Sequence, residues 1–202
     1  MKGCSLSNLK LVVLASGSGS NLQAIMDAIE VGSLNAEIAC VISNRKDAYA
    51  LERAATAHIP TYYQALKPYK EDGRGRVQYD IDLAEYIKNL APDLVVLAGW
   101  MHILSKEFLD HLGTKVINLH PALPDAFAGT DAIERAYEAF QRGDISHTGC
   151  MIHEVIPEVD AGKVVLQMEV PILPDDSLAD LEARMHETEH KIIVAAIRKI
   201  GR

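Results

Sequence analysis

The chain has 202 residues, 49% of them apolar and 24% charged, and carries a formal net charge of −8. That is enough apolar material for the core of a single α/β domain, while the acidic balance argues against a nucleic-acid or anionic-membrane surface, each of which needs a basic stripe. Three cysteines (Cys4, Cys40, Cys150) without a CxxC pair indicate neither a disulfide scaffold nor a structural zinc site.

The opening MKGCSLSN runs into a short strand-like stretch rather than a signal h-region, and no stretch approaches the roughly 20 apolar residues of a membrane span. These features predict a soluble, reduced, cytoplasmic protein. Apolar runs of strand length then alternate with amphipathic stretches of helix length, which predicts a doubly wound, mostly parallel sheet with helices on both faces. Leu9–Ala15 reads as a buried strand, followed by a glycine-rich turn and a helix over Asn21–Val31. Glu37–Ser43 is the second strand, Leu51–Ala57 belongs to a helix, and Thr61–Tyr63 is a short third strand. Leu66–Arg76 (LKPYKEDGRGR) is polar and turn-rich and predicts an exposed, mobile loop.

Tyr79–Leu90 is helical up to Pro92, and Leu94–Ala98 and Val116–Leu119 are strands flanking a short helix over Lys106–Leu112. Ala132–Gln141 is helical. Thr148–Ile156 and Val164–Val170 form a strand pair joined by a turn at Asp160–Gly162, and a last helix starts from a capping-box-like SLAD at Ser177. There is no repeat, low-complexity tract or linker, so residues 1–202 read as one domain.

Four motifs carry candidate chemistry. In ASGSGSNL (Ala15–Leu22), glycines at a strand-to-helix turn let backbone N–H groups reach an anion, with Gly17 and Gly19 shaping the turn and Ser18, Ser20 and Asn21 adding donors. It is neither a GxGxxG fingerprint nor a P-loop, and a plain βα turn with a serine-rich cap would look similar. In VINLHPALP (Val116–Pro124), strand alternation puts Asn118 and His120 on one side. Pro121 keeps His120 extended, so both are expected at a solvent-reaching strand end, where open α/β sheets place ligands. An amide donor beside an imidazole suits a reaction that builds an oxyanion and moves a proton; the alternative is a structural Asn and a packed His. In EVDAGK (Glu158–Lys163), Asp160 sits in a turn, either orienting His120 or simply solvated. Finally, HETEH (His186–His190) satisfies the HExxH zinc pattern on a helix, but no His, Asp, Glu or Cys follows it. The solvated face of a terminal helix is the preferred reading, without metal.

With SGSGSNLQAI (Ser16–Ile25), PDLVVLAGWMHILS (Pro92–Ser105), NLHPALPDAFAG (Asn118–Gly129), the H-x-V strand at His153, VDAGKVVLQ (Val159–Gln167) and HETEH in this order, the chain resembles the phosphoribosylglycinamide formyltransferases over essentially its whole length. The resemblance implies a Rossmann-like formyltransferase fold and transfer of a formyl group from 10-formyltetrahydrofolate, as co-substrate, to the amine of glycinamide ribonucleotide in purine biosynthesis. It implies a catalytic trio of Asn118, His120 and Asp160, and a ribonucleotide site of Gly17, Ser18, Gly19, Ser20, Asn21 and Glu189, the last receiving the amine. The folate would lie beside Arg76, Met101, His102, Ile103, Leu104, Asn118, Ile156, Pro157, Glu158, Val159 and Asp160. Small-molecule substrates, no nucleic acid or membrane, and a monomer or weak homodimer complete the expectation.

The chain departs from the family where HPALPD replaces the usual HPSLLP, and where His102 stands in place of a frequent Arg. Two enzymes and one binding module compete with this reading. A formyltetrahydrofolate hydrolase of the same fold usually carries an extra N-terminal regulatory domain, and a transfer-RNA formyltransferase needs a C-terminal RNA-binding domain. Both expectations run against a chain that opens directly on its first strand and is acidic. A non-enzymatic nucleotide-binding module accounts for the glycine loop, but not for Asn118, His120 and Asp160 together.

Overall fold

The fold follows from strands that are buried on both faces. In the computed structural model, which describes residues 8–202, β1 (Leu9–Leu14) sends Leu11 and Val13 to one side of the sheet and Val12 and Leu14 to the other. All four are fully buried, so the run reads as continuous apolar sequence and needs a helical layer on each face. Cys4 lies outside the described residues.

The other strands are β2 (Ala36–Ser43), β3 (Thr61–Tyr63), β4 (Leu94–Leu97), β5 (Val116–His120), β6 (His147–Glu154) and β7 (Val164–Pro171). They form one seven-stranded sheet in the order β3-β2-β1-β4-β5-β6-β7. The first five are parallel, and β6 and β7 are added antiparallel at one end. One face is covered by α1 (Ser20–Glu30), α2 (Tyr49–Thr56), α6 (Ala132–Gln141) and α7 (Leu178–Ile200), and the other by α4 (Gly75–Asn89) and α5 (Lys106–Leu112). The Ser177 hydroxyl accepts from the Asp180 N–H while the Asp180 carboxylate accepts from the Ser177 N–H, so the capping box read from SLAD starts α7. No helix among the described residues is long and apolar enough to cross a membrane.

One expected loop is helical. Residues read as an exposed, mobile loop over Leu66–Arg76 form α3 (Lys67–Glu71) and the first turn of α4. Pro68 suits a helix start. Tyr69 gives this polar stretch its anchor: its ring packs edge-on against Tyr79, its hydroxyl donates to Asp82, and Arg74 lies 4.0 Å over its face.

The strand order reverses at β1 and β4, so the carboxyl ends of β1, β4 and β5 open onto one crevice. In doubly wound sheets this switch point is where ligands bind.

Candidate active site

A cleft of about 570 Å³ fills that crevice. Its floor at β1 is the glycine loop: Gly17, Ser18, Gly19, Ser20 and Asn21 all line it. Gly19 caps α1 in the left-handed region, at φ 72°, and lies so close to α2 that an added Cβ would sit 2.8 Å from the Ala50 Cα. The Ala50 N–H donates to the Gly17 carbonyl and the Arg53 Nε to the Ser18 carbonyl. The loop is thus braced from behind, and its carbonyls are occupied. The first-turn N–H groups of α1 have no partner within the helix and are available to an anion.

At the end of β5, Asn118, His120 and Asp160 converge. The Asn118 Nδ2 lies 3.4 Å from the Asp160 Oδ1, and the His120 Nδ1 lies 3.4 Å from the Asp160 Oδ2. Asp160 stands in the β6–β7 connection with a positive φ of 54°. Its side chain is only 10% exposed and accepts from the Gly129 N–H at 2.9 Å, so the solvated alternative does not hold. His120 is also more enclosed than expected, at 4% exposure, with its Nε2 bonded to the Phe127 carbonyl. The segment following Pro121 folds back over the strand end and removes it from solvent.

Burial pulls the His120 imidazole below its ordinary pKa, and the opposing pull of Asp160 does not cancel it. The resting ring is therefore neutral near neutral pH. Burial alone would raise the Asp160 carboxyl. The hydrogen bond from His153, the Gly129 N–H and the two imidazoles outweigh it and hold the group below the usual carboxylate range.

Glu189 approaches from α7. It is 5% exposed and accepts from the Asn21 Nδ2 at 3.3 Å and the His186 Nδ1 at 2.9 Å. The helix face carrying HETEH is therefore a wall of the cleft, which corrects the solvated-face reading. The bond to Glu189 raises the His186 pKa. His186 lines the cleft while His190 does not, and among the described residues no three His, Cys, Asp or Glu side chains are grouped to hold a metal.

The opposite end is apolar. Met101, His102, Ile103, Leu104, Ile156, Pro157, Glu158 and Val159 line it, and Met101 and Ile103 are 59% and 65% exposed, leaving apolar surface open to a ligand. Arg76 is not on this wall. Its Nε donates to the fully buried Asp80 at 2.8 Å, and its Nη2 donates to the Ile103 carbonyl. Asp80 in turn accepts from the Ser105 N–H at 3.1 Å. The arginine expected beside a ligand is thus tied to this wall through Ile103, with its side chain still 34% exposed. His102 is wedged between Tyr79 and Trp100, with its pKa lowered first by burial and then by Arg76.

Several residues of the site carried no role in the sequence reading. His153 faces Asn118 across β5 and β6; its Nε2 lies 3.2 Å from the Asn118 Nδ2 and its Nδ1 2.9 Å from the Glu154 carbonyl. Ser16 accepts from the Met101 N–H at 2.9 Å and so ties the glycine loop to the apolar wall. Arg135 donates to the Phe127 and Ala128 carbonyls and clamps the segment over His120. Ser16 and His153 stood within motifs that carried the family resemblance, and His153 was also a polar residue inside an apolar strand, but neither pointed to these contacts.

A switch-point cleft with a braced glycine loop at one end, an apolar wall at the other and an amide–imidazole–carboxylate cluster between them has the form of a group-transfer enzyme. The chain belongs to the formyl transferase family, whose model matches residues 9–197. Its relatives within that family include phosphoribosylglycinamide formyltransferases. The protein of that name from Schizosaccharomyces pombe is 58% identical over 198 residues, covering 94% of this chain and 96% of the relative. The Escherichia coli protein is 40% identical, covering 91% and 83%. The crystal structure of glycinamide ribonucleotide transformylase 1 from Symbiobacterium toebii superposes with a TM-score of 0.86 at 38% identity, covering 95% of this chain and 87% of that one. The chain is an enzyme of formyl transfer in purine biosynthesis.

Proposed function

We propose that the enzyme transfers the formyl group of 10-formyltetrahydrofolate to the amine of glycinamide ribonucleotide. The observation that carries this reading is that one cleft contains both the braced glycine loop and the apolar wall, with Asn118, His120 and Asp160 between them. Gly17–Asn21 receive the phosphate and Glu189 the amine. The pterin lies against Met101–Leu104 and Ile156–Asp160, with Arg76 acting through Ile103.

The substrate amine is itself the nucleophile, so the reaction passes through no covalent enzyme intermediate. As the amine attacks the formyl carbon, negative charge develops on the formyl oxygen. Asn118 and the His120 Nε2–H donate to it, the oxygen replacing the Phe127 carbonyl as the partner of Nε2. A neutral His120 donates at once; the proton that the amine loses on attack is taken up by the ring, whose Nδ1 faces Asp160, and the imidazolium then passes a proton to the folate nitrogen as its bond to the formyl carbon breaks. Asp160 is also placed to hold a water for the same transfer. Residues 1–202 act as one formyltransferase domain, in the cytoplasm, as a monomer or weak homodimer.

The test is formyl transfer from 10-formyltetrahydrofolate with and without glycinamide ribonucleotide. Formylated nucleotide formed only when the amine is present supports the transferase. Formate released at the same rate without it would select a hydrolase.

A further inference from the structure

The segment between β5 and α6 is held in conformations that residues with side chains adopt only under constraint: Asp125, Phe127 and Asp131 have φ values of 63°, 48° and 56°. Arg135 supplies part of that constraint. It stands near the start of α6, whose Ala132, Ala136 and Ala139 are buried. Its Nη2 donates to the Phe127 carbonyl at 2.7 Å and to the Ala128 carbonyl at 2.8 Å. The Phe127 carbonyl is also the partner of the His120 Nε2, at 3.1 Å. One oxygen thus serves a guanidinium and an imidazole together, as its two lone pairs allow.

We propose that Arg135 is a positioning residue for the transfer, keeping the Phe127 carbonyl fixed and partnered while His120 moves its Nε2–H bond from that carbonyl to the formyl oxygen; the inference rests on the reading of His120 as an oxyanion donor. With no second donor, the exchange would leave a half-buried carbonyl unpaired as the amine attacks, and the barrier would rise. With Arg135 in place the carbonyl keeps a partner throughout, and the segment stays where it is. The guanidinium also acts on the ring through its charge. Burial is the first influence lowering the His120 pKa; Asp160 and the Phe127 carbonyl raise it, and the His153 ring and Arg135 lower it. A cation here keeps the resting ring neutral, ready to take up the amine's proton, and makes the imidazolium a readier donor to the folate nitrogen.

The test is a double-mutant cycle on formyl transfer to glycinamide ribonucleotide. Arg135→Met, which removes both the bonds and the charge, should lower kcat by about tenfold and leave KM for either substrate within about twofold of wild type. In a His120→Ala background the same substitution should cost about twofold or less, because the group it positions is gone. The His120 titration, followed by NMR, should move to higher pH in Arg135→Met. Arg135→Lys keeps the charge and one donor, so it should hold that titration near wild type and recover part of kcat. A kcat within about twofold of wild type in Arg135→Met, or an equal loss with and without His120, overturns the proposal. So does a His120 titration raised as far in Arg135→Lys as in Arg135→Met, which would mean that the segment has opened. If His120→Ala itself transfers at the wild-type rate, the reading of His120 as a donor falls and the role of Arg135 with it; an impaired His120→Ala beside an intact Arg135→Met removes Arg135 alone.

Discussion

At the scale of single residues, the chemistry depends on two donors at the end of one strand. Asn118→Ala and His120→Ala should each cut kcat by about 10²-fold or more, the usual cost of losing one oxyanion donor, as measured by steady-state transfer. The two should differ in stability. His120 is buried and bonded to the Phe127 carbonyl, so its removal should cost about 1 kcal/mol, whereas Asn118 is only partly buried and its removal less. Asp160 pulls His120 towards protonation against burial. Asp160→Asn should therefore move the His120 titration to still lower pH when followed by NMR; an upward shift would mean that the carboxylate does not act on the ring. The pairing of Asn118 with His120 was legible because strand period alone puts them on one side. Their meeting with Asp160 and His153 was not, because it depends on the antiparallel register of β5 and β6 and on a long connection, neither of which leaves a local trace. Glu189 was similarly hidden, because a glutamate on a polar helix face becomes a buried wall residue only through packing against α1.

At the scale of elements, the glycine loop and the apolar wall can be tested separately. At Gly17 an added Cβ meets nothing within 4 Å and the backbone needs no positive φ, yet the residue lines the cleft. Gly17→Val should therefore raise KM for glycinamide ribonucleotide strongly, with the melting temperature nearly unchanged. The loss should fall more on kcat/KM than on kcat, since phosphate binding is shared by ground and transition states. Gly19 is unsuitable for this experiment, because a side chain there collides with Ala50 in a strained conformation. On the other side, Asp80→Ala removes the partner of both Arg76 and the Ser105 N–H. It should cost about 2 kcal/mol and raise KM for the folate while leaving that for the ribonucleotide close to wild type. Asp80→Asn, which can still accept from Ser105, should recover part of the folate KM; no recovery would indicate general loosening rather than support of this wall. The sequence misread this region because GRGR and its neighbours look like turn residues. Their helical state depends on Tyr69 and Asp80 finding partners in α4 and beyond.

At the scale of the whole molecule, the architecture was the most legible part, since strands buried on both faces write continuous apolar runs and a doubly wound sheet is their usual solution. Charge placement was not legible, and it sets the response to acid. Asp176 is held at a pKa of about 2, first by Arg184 and then by the Leu173 N–H, and Asp160 and Asp180 are also lowered. Each carboxylate binds its proton more weakly folded than unfolded, so its contribution is fully present above the unfolded value near 4 and is lost as pH falls through the folded value. His120 acts in the same sense at higher pH: its folded pKa is depressed by burial, so the unfolded chain takes up that proton first and stability begins to fall as pH drops below the ordinary histidine value. The melting temperature should therefore hold near neutrality, decline slightly below about pH 6.5, and fall steeply between about pH 4 and pH 2. Asp176→Asn should flatten the steep part, because its ion pair with Arg184 ties the start of α7 to the end of β7. If the variant lost the same stability between pH 4 and pH 2 as the wild type, acid unfolding would be governed by the other carboxylates, and the Asp176–Arg184 pair would be a surface contact of little weight.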